Sequence, residues 1–109
     1  MDLKTLNEQA KAALQAGDMV KAEALIAQLG AVRPGHPQVI LLTGLLRGQQ
    51  GRYQEAANQL ENLLRLDPRN ANVLLHLGNA LQGLGRFEEA VARYDAALAV
   101  KPGAADILS

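Results

Sequence analysis

No cysteine occurs among the 109 residues of this chain, so neither a disulfide framework nor a thiol nucleophile is available to it. Serine occurs once, as the terminal Ser109, which leaves no serine nucleophile for a folded site. Neither sign of charge is in excess. Lys plus Arg and Asp plus Glu number 11 each, and the arginines are spread along the chain. Binding that depends on phosphate neutralisation needs a basic surplus, so nucleic acid is not an expected partner. Long apolar runs are missing as well. Nothing approaches the roughly 20 residues of a membrane-spanning helix, so no membrane partner is expected. The amphipathic, charged opening MDLKTLNEQAKAAL does not resemble a secretory leader, and the expected setting is the cytoplasm. Aromatic residues make up only 3% and β-branched residues are scarce, while alanine and leucine dominate. That composition favours helix throughout. The length allows one domain, with a net stability of about 5–10 kcal/mol at most.

What is present is a repeat. In the stretch LLHLGNALQGLGRFEEAVARYDAALAVKP, which ends at Pro102, Leu74, Leu77, Gly78 and Leu81 recur at i, i+3, i+4 and i+7. Phe87, Ala90, Val91, Tyr94, Ala97 and Leu98 form a wider apolar stripe of the same period. Gly85 between them suits the end of a helix, and Pro102 cannot continue one. The unit is a helical hairpin, and it occurs three times. Pro34, Pro68 and Pro102 are 34 residues apart; so are Gly17, Gly51 and Gly85, Ala22, Ala56 and Ala90, and Met19, Tyr53 and Phe87.

A 34-residue helix-turn-helix period is the mark of tetratricopeptide repeats, and the third unit resembles that family closely. Leu74-x2-Leu77-Gly78-x2-Leu81 stands where the family has W-x2-L-G-x2-Y, and Ala90-x3-Tyr94 where it has A-x3-F. The expected architecture is a single all-α domain over residues 1–109, with repeats at 3–36, 37–70 and 71–104 and helices at about 4–16, 19–32, 37–50, 53–66, 71–84 and 87–100. The resemblance implies a right-handed solenoid of three αα-hairpins whose first helices line a concave face. One hairpin cannot bury its stripe alone, so the three share a core. The first repeat is the weakest match, with Gln9 and Ala13 at positions of bulky anchors. In the second, Thr43 and Arg47 replace the family's leucine and aromatic. Asp18 and Asn70 are expected N-caps, and Pro37 suits a first helical position. Gly44 and Gly78 are expected to let the paired helices approach opposite Ala56 and Ala90.

Few residues suggest chemistry. His36 and His76 lie 40 apart at different places in their repeats, which is not a metal-ligand spacing. Glu88 and Glu89 fall in a first helical turn, where the macrodipole favours negative charge. Gly83-x-Gly85 lacks the strand and the Lys-Ser/Thr of a phosphate loop. No catalytic residue, metal ligand or cofactor site is therefore assigned, and the chain is not expected to be an enzyme by itself.

Recognition is left to the surface. The outward faces of the first helices carry Asn7 and Lys11, then Leu41, Leu42, Leu45 and Gln49, then Asn72, Leu75, His76, Asn79 and Gln82. Leucines rimmed by amides suit a peptide or protein segment; alternatively, Leu41, Leu42 and Leu45 pack against neighbouring first helices. Titration of His76 is expected to modulate a groove near pH 6–7. One subfamily clamps a C-terminal carboxylate, but its matching residues here are Asn7, Lys11, Leu42, Asn72 and His76. Only Lys11 carries a permanent charge, so the resemblance stops short of that clamp.

The leading expectation is a binding scaffold. The resemblance also implies a second class, since such arrays precede transferase domains in bacterial enzymes. A third is self-association. Val91, Tyr94 and Leu98 belong to a stripe that a following repeat would cover, and Leu108 falls 34 residues after Leu74. Residues 105–109 thus read as the start of a fourth repeat in a longer array, and the bare edge is expected to pair two copies.

Overall fold

In a computed structural model, the structure describes residues 2–100. Six helices follow in order: α1 (Leu3–Ala16), α2 (Met19–Val32), α3 (Pro37–Gln49), α4 (Tyr53–Leu66), α5 (Ala71–Gly83) and α6 (Phe87–Val100). There is no strand among the described residues. The boundaries agree with the sequence expectation to within a residue. The reading of residues 105–109 as a fourth repeat lies outside the described residues. No described helix is long and apolar enough to cross a membrane.

Local chemistry sets the boundaries. Asp2, Asp18 and Asn70 each accept a hydrogen bond from the backbone N–H three residues on, at 2.7, 3.1 and 3.1 Å. Each satisfies a donor that the first helical turn leaves without a partner. His36 caps α3 before Pro37, its Nδ1 accepting from Gln38 N–H, two residues on, at 3.1 Å. Gly17, Gly51 and Gly85 close the first helices with φ of 77–78°, a region costly for residues with a Cβ.

The helices pair as α1–α2, α3–α4 and α5–α6, and the hairpins stack into an array of about 40 × 24 × 24 Å. Along one side α1 meets α3 and α3 meets α5, whereas the second helices approach one another less closely. The first helices therefore line the inner side. The two seams between repeats differ. Between α4 and α5 the seam is apolar, with Ala57, Leu60, Val73 and Leu77 buried together. Between α2 and α3, Leu42 and Leu46 join the first-repeat core, but the turn end is polar. There Glu23 accepts from Arg47 at 3.1 Å and from Gln50 at 3.0 Å, and Arg47 also faces Glu55 at 3.6 Å. That explains why Arg47 stands where the family has an aromatic residue.

The expected glycine contacts need one correction. Gly44 lies against Leu60 and Gln59, and Gly78 against the Tyr94 ring, not opposite Ala56 and Ala90. The close approach falls a turn further along the second helix, where a larger side chain folds over the glycine.

Candidate functional site

Gly44 and Gly48 stand one turn apart on α3 and strip one face of that helix of side chains. Together with Ala56 and Leu60 on α4 and Ala80 on α5, they form the floor of a slot of about 270 Å³ between α3 and α5. Leu45 and Gln49 stand on the α3 side, and His76 and Asn79 on the α5 side. Tyr53 closes one end. Its ring lies where a Cβ on Gly83 would sit, at 2.6–2.7 Å, so the absence of a side chain there fixes the aromatic wall. The slot has an apolar floor and a rim of amides and one imidazole. This suits a single apolar side chain whose backbone is held by hydrogen bonds.

His76 is half-buried, and its desolvation lowers its pKa from the ordinary 6.5. The imidazole is accordingly neutral at pH 7. Tyr94, on α6, crosses Gly78 and brings its hydroxyl to Asn79 Oδ1 at 2.6 Å and Gln82 Oε1 at 3.1 Å. Partial burial raises its pKa above 10, so the hydroxyl remains a donor and holds the Asn79 amide in one orientation.

The residues expected to line the groove separate into three groups. Leu45, Gln49, His76 and Asn79 meet at the slot, while Gln82 stands at its margin in contact with Tyr94. Lys11 and Asn72 are exposed on the first helices but away from the slot, and Asn7 lines a separate pocket near the start of α1. Leu42 and Leu75 are corrections: at 0% and 2% exposure they are core residues and present nothing to a ligand. Leu41 is half-buried against the second-repeat core. Of the leucines for which the sequence allowed packing between helices, Leu41 and Leu42 do pack so, and Leu45 both borders the first-repeat core and lines the slot. Gly44, Gly48, Tyr53, Ala56 and Ala80 were missed, although the Gly44-x3-Gly48 spacing was there to find them.

Val91, expected at a self-association edge, is 55% exposed, and Tyr94 and Leu98 are half-buried. Phe87, one turn before Val91 on α6, extends that stripe at 61% exposure. Among the described residues no group of three or more His, Cys, Asp or Glu is placed to hold a metal ion.

Comparison with known proteins gives consistent results. The sequence pattern of the family described as tetratricopeptide repeat matches residues 49–109. The BBSome complex member BBS4 of Bos taurus is 33% identical over 78 residues, covering 72% of this chain and 15% of that protein. A mutant O-GlcNAc transferase from Thermobaculum terrenum superposes with a TM-score of 0.82 at 31% identity, over 91% of this chain and 19% of the transferase. The chain thus spans less than a fifth of both. The OM64 TPR domain of Arabidopsis, at 20% identity and a TM-score of 0.77, is matched over 91% of this chain and 82% of its own, a likeness of fold alone.

Proposed function

The chain belongs to the tetratricopeptide repeat family, and from that premise we propose that it is a scaffold binding a peptide or protein segment across its first helices. The slot between α3 and α5 would receive one apolar side chain. The observation that carries this reading is the slot itself: glycine and alanine on its floor, and Gln49, His76 and Asn79 at its rim. The buried Leu42 and Leu75 belong to the scaffold, and Leu45 remains as the apolar wall. Peptides selected on this chain from a random library provide the test. A Cβ on Gly48 would have only the Ala56 methyl within 4 Å, at 3.9 Å, so a methionine there enters the slot without forcing the backbone. Gly48→Met is expected to weaken selected peptides tenfold or more while the circular dichroism spectrum is unchanged. Full affinity in that variant, or a footprint around Arg93 on the outer helices, overturns the reading.

A second reading has a specific observation behind it. The likeness to a segment of an O-GlcNAc transferase supports an array that presents a partner to a catalytic unit elsewhere in the same protein. The reading frame downstream of the Ser109 codon decides this: an encoded transferase domain supports it and a stop codon removes it. Self-association through α6 is supported by the exposure of Phe87 and Val91.

A further inference from the structure

A second pocket, of about 250 Å³, lies where α1, the end of α2 and the start of α3 meet, and its chemistry differs from that of the slot. Lys4, Arg33 and His36 line it, and no carboxylate does. In a chain whose net charge is zero, Lys4 and Arg33 make this a local surplus of cations. Arg47, Arg52 and Arg86 all pair with glutamates, whereas neither Lys4 nor Arg33 forms an ion pair among the described residues.

The amides add to this. Asn7 Oδ1 and Gln38 Nε2, both on side chains lining the pocket, are buried with no hydrogen-bond partner. Buried polar atoms are nearly always paired, so two orphans at one pocket point to an absent partner. A half-turn of either amide exchanges donor for acceptor without altering its shape. His36 Nδ1 accepts from Gln38 N–H, which places the proton of the neutral imidazole on Nε2 as a further donor. The rest of the lining is apolar: Leu3, Leu29 and Val39.

We infer that this pocket binds an amphipathic organic anion, an apolar body carrying one carboxylate. The body lies on Leu3, Leu29 and Val39, and the carboxylate accepts from Arg33, Lys4 and the Gln38 amide. Charge-assisted bonds of this kind are the strong ones, and the planar guanidinium of Arg33 matches a carboxylate. Ligand pockets commonly measure about 300–1,000 Å³, so the occupant is small, of the order of one phenyl ring and a short acid. The site is independent of the slot between α3 and α5 and stands or falls separately from it.

The test titrates 3-phenylpropanoate and its neutral amide into isotope-labelled protein, with backbone amide shifts as the readout. Saturable shifts are expected at residues 3–7 and 33–39, with at least tenfold weaker binding of the neutral amide. Arg33→Gln should weaken the acid by a similar factor and Lys4→Gln by a smaller one. Both side chains are exposed, so the fold is expected to persist, and an unchanged melting curve verifies it. N-acetylphenylalanine separates the two sources of such a group. Tighter binding than the free acid assigns the pocket to a chain end, and equal or weaker binding to a small metabolite-like acid. Equal affinity for acid and amide, indifference to both substitutions, or shifts centred on Tyr53 and His76 would overturn the inference.

Discussion

Gly78 is the residue on which the third hairpin closes. A Cβ there would meet Tyr94 Cε1 at 2.5 Å and Cδ1 at 2.8 Å. The ring cannot retreat without weakening the hydrogen bond that its hydroxyl donates to Asn79 Oδ1 at 2.6 Å. Gly78→Ala is therefore expected to cost about 1–3 kcal/mol by overpacking, measured by urea unfolding. In a Tyr94→Ala background the same change should be nearly neutral, because the clash has gone. Gly44→Ala is the contrast: its neighbours, Leu60 and Gln59 Cβ, lie at 3.3–3.4 Å, so a shift of a few tenths of an ångström suffices, and the gain of about 1 kcal/mol in helix propensity offsets part of the crowding. That glycines mark the close approach is legible in the repeat. Which side chain fills the space is not, since it depends on how the two helices cross. His76 gives a pH prediction. Its folded pKa lies below 6.5 because of burial, so below pH 6.5 the unfolded chain takes up a proton that the folded chain refuses. Stability from this group is complete above pH 6.5 and is lost as pH falls toward the lowered value. Groove affinity should likewise be flat above pH 7 and weaken on acidification, and His76→Asn should remove that slope in calorimetric titrations from pH 5 to 8.

At the scale of elements, the two seams between repeats set where the array opens. Position 57 is a buried alanine between α4 and α5, and 34 residues earlier Glu23 occupies the same place between α2 and α3. Glu23 and Glu55 are exposed, and Arg47 is only partly buried. Both seams bury leucines, Leu42 and Leu46 at the first and Leu60 and Leu77 at the second, each contributing about 1.5–3 kcal/mol. Where the second seam also buries Ala57, the first has ion pairs, which in that setting contribute about 0–1 kcal/mol each. The first hairpin is thus the more loosely attached. Native-state hydrogen exchange should show the cores of α1 and α2 exchanging through an opening of lower free energy than those of α4 and α5. Equal protection in the four helices would contradict this. The helix boundaries were readable because caps, glycine turns and apolar period agree three times over. The polar seam was not, because Glu23 looks like an ordinary surface residue until α3 brings Arg47 and Gln50 to it. For the same reason Leu42 and Leu75 could not be told from groove residues: periodicity places a leucine on a face, and only the neighbouring repeat decides whether that face is covered.

At the scale of the whole molecule, the two ends of the array are unlike. In α3 and α5 the positions turned toward the preceding repeat carry Leu42 and Leu46, then His76 and Ala80; in α1 the same positions are Glu8 and Ala12, both exposed. That face of α1 is therefore suited to water. At the other end, the positions by which α4 meets α5 are Tyr53, Ala57, Leu60 and Leu64, and their counterparts in α6 are Phe87, Val91, Tyr94 and Leu98. Ala57 is 1% exposed, while Val91 is 55% and Phe87 61% exposed. A second copy covering this face with its own N-terminal end would bring Glu8 to the half-buried kind of place that His76 holds between α3 and α5, where a carboxylate is partly desolvated. Head-to-tail stacking is thereby disfavoured. An apolar face meeting its own equivalent across a two-fold axis has no such cost and closes at two copies. Light scattering over a concentration series is expected to show a monomer–dimer equilibrium, and Val91→Glu should shift it to monomer without altering the far-ultraviolet circular dichroism. The exposed position of Val91 makes that change tolerable in the single chain. A monomer at every concentration that binds no hydrophobic dye, or a concentration dependence untouched by Val91→Glu, would show that α6 is not where two copies meet.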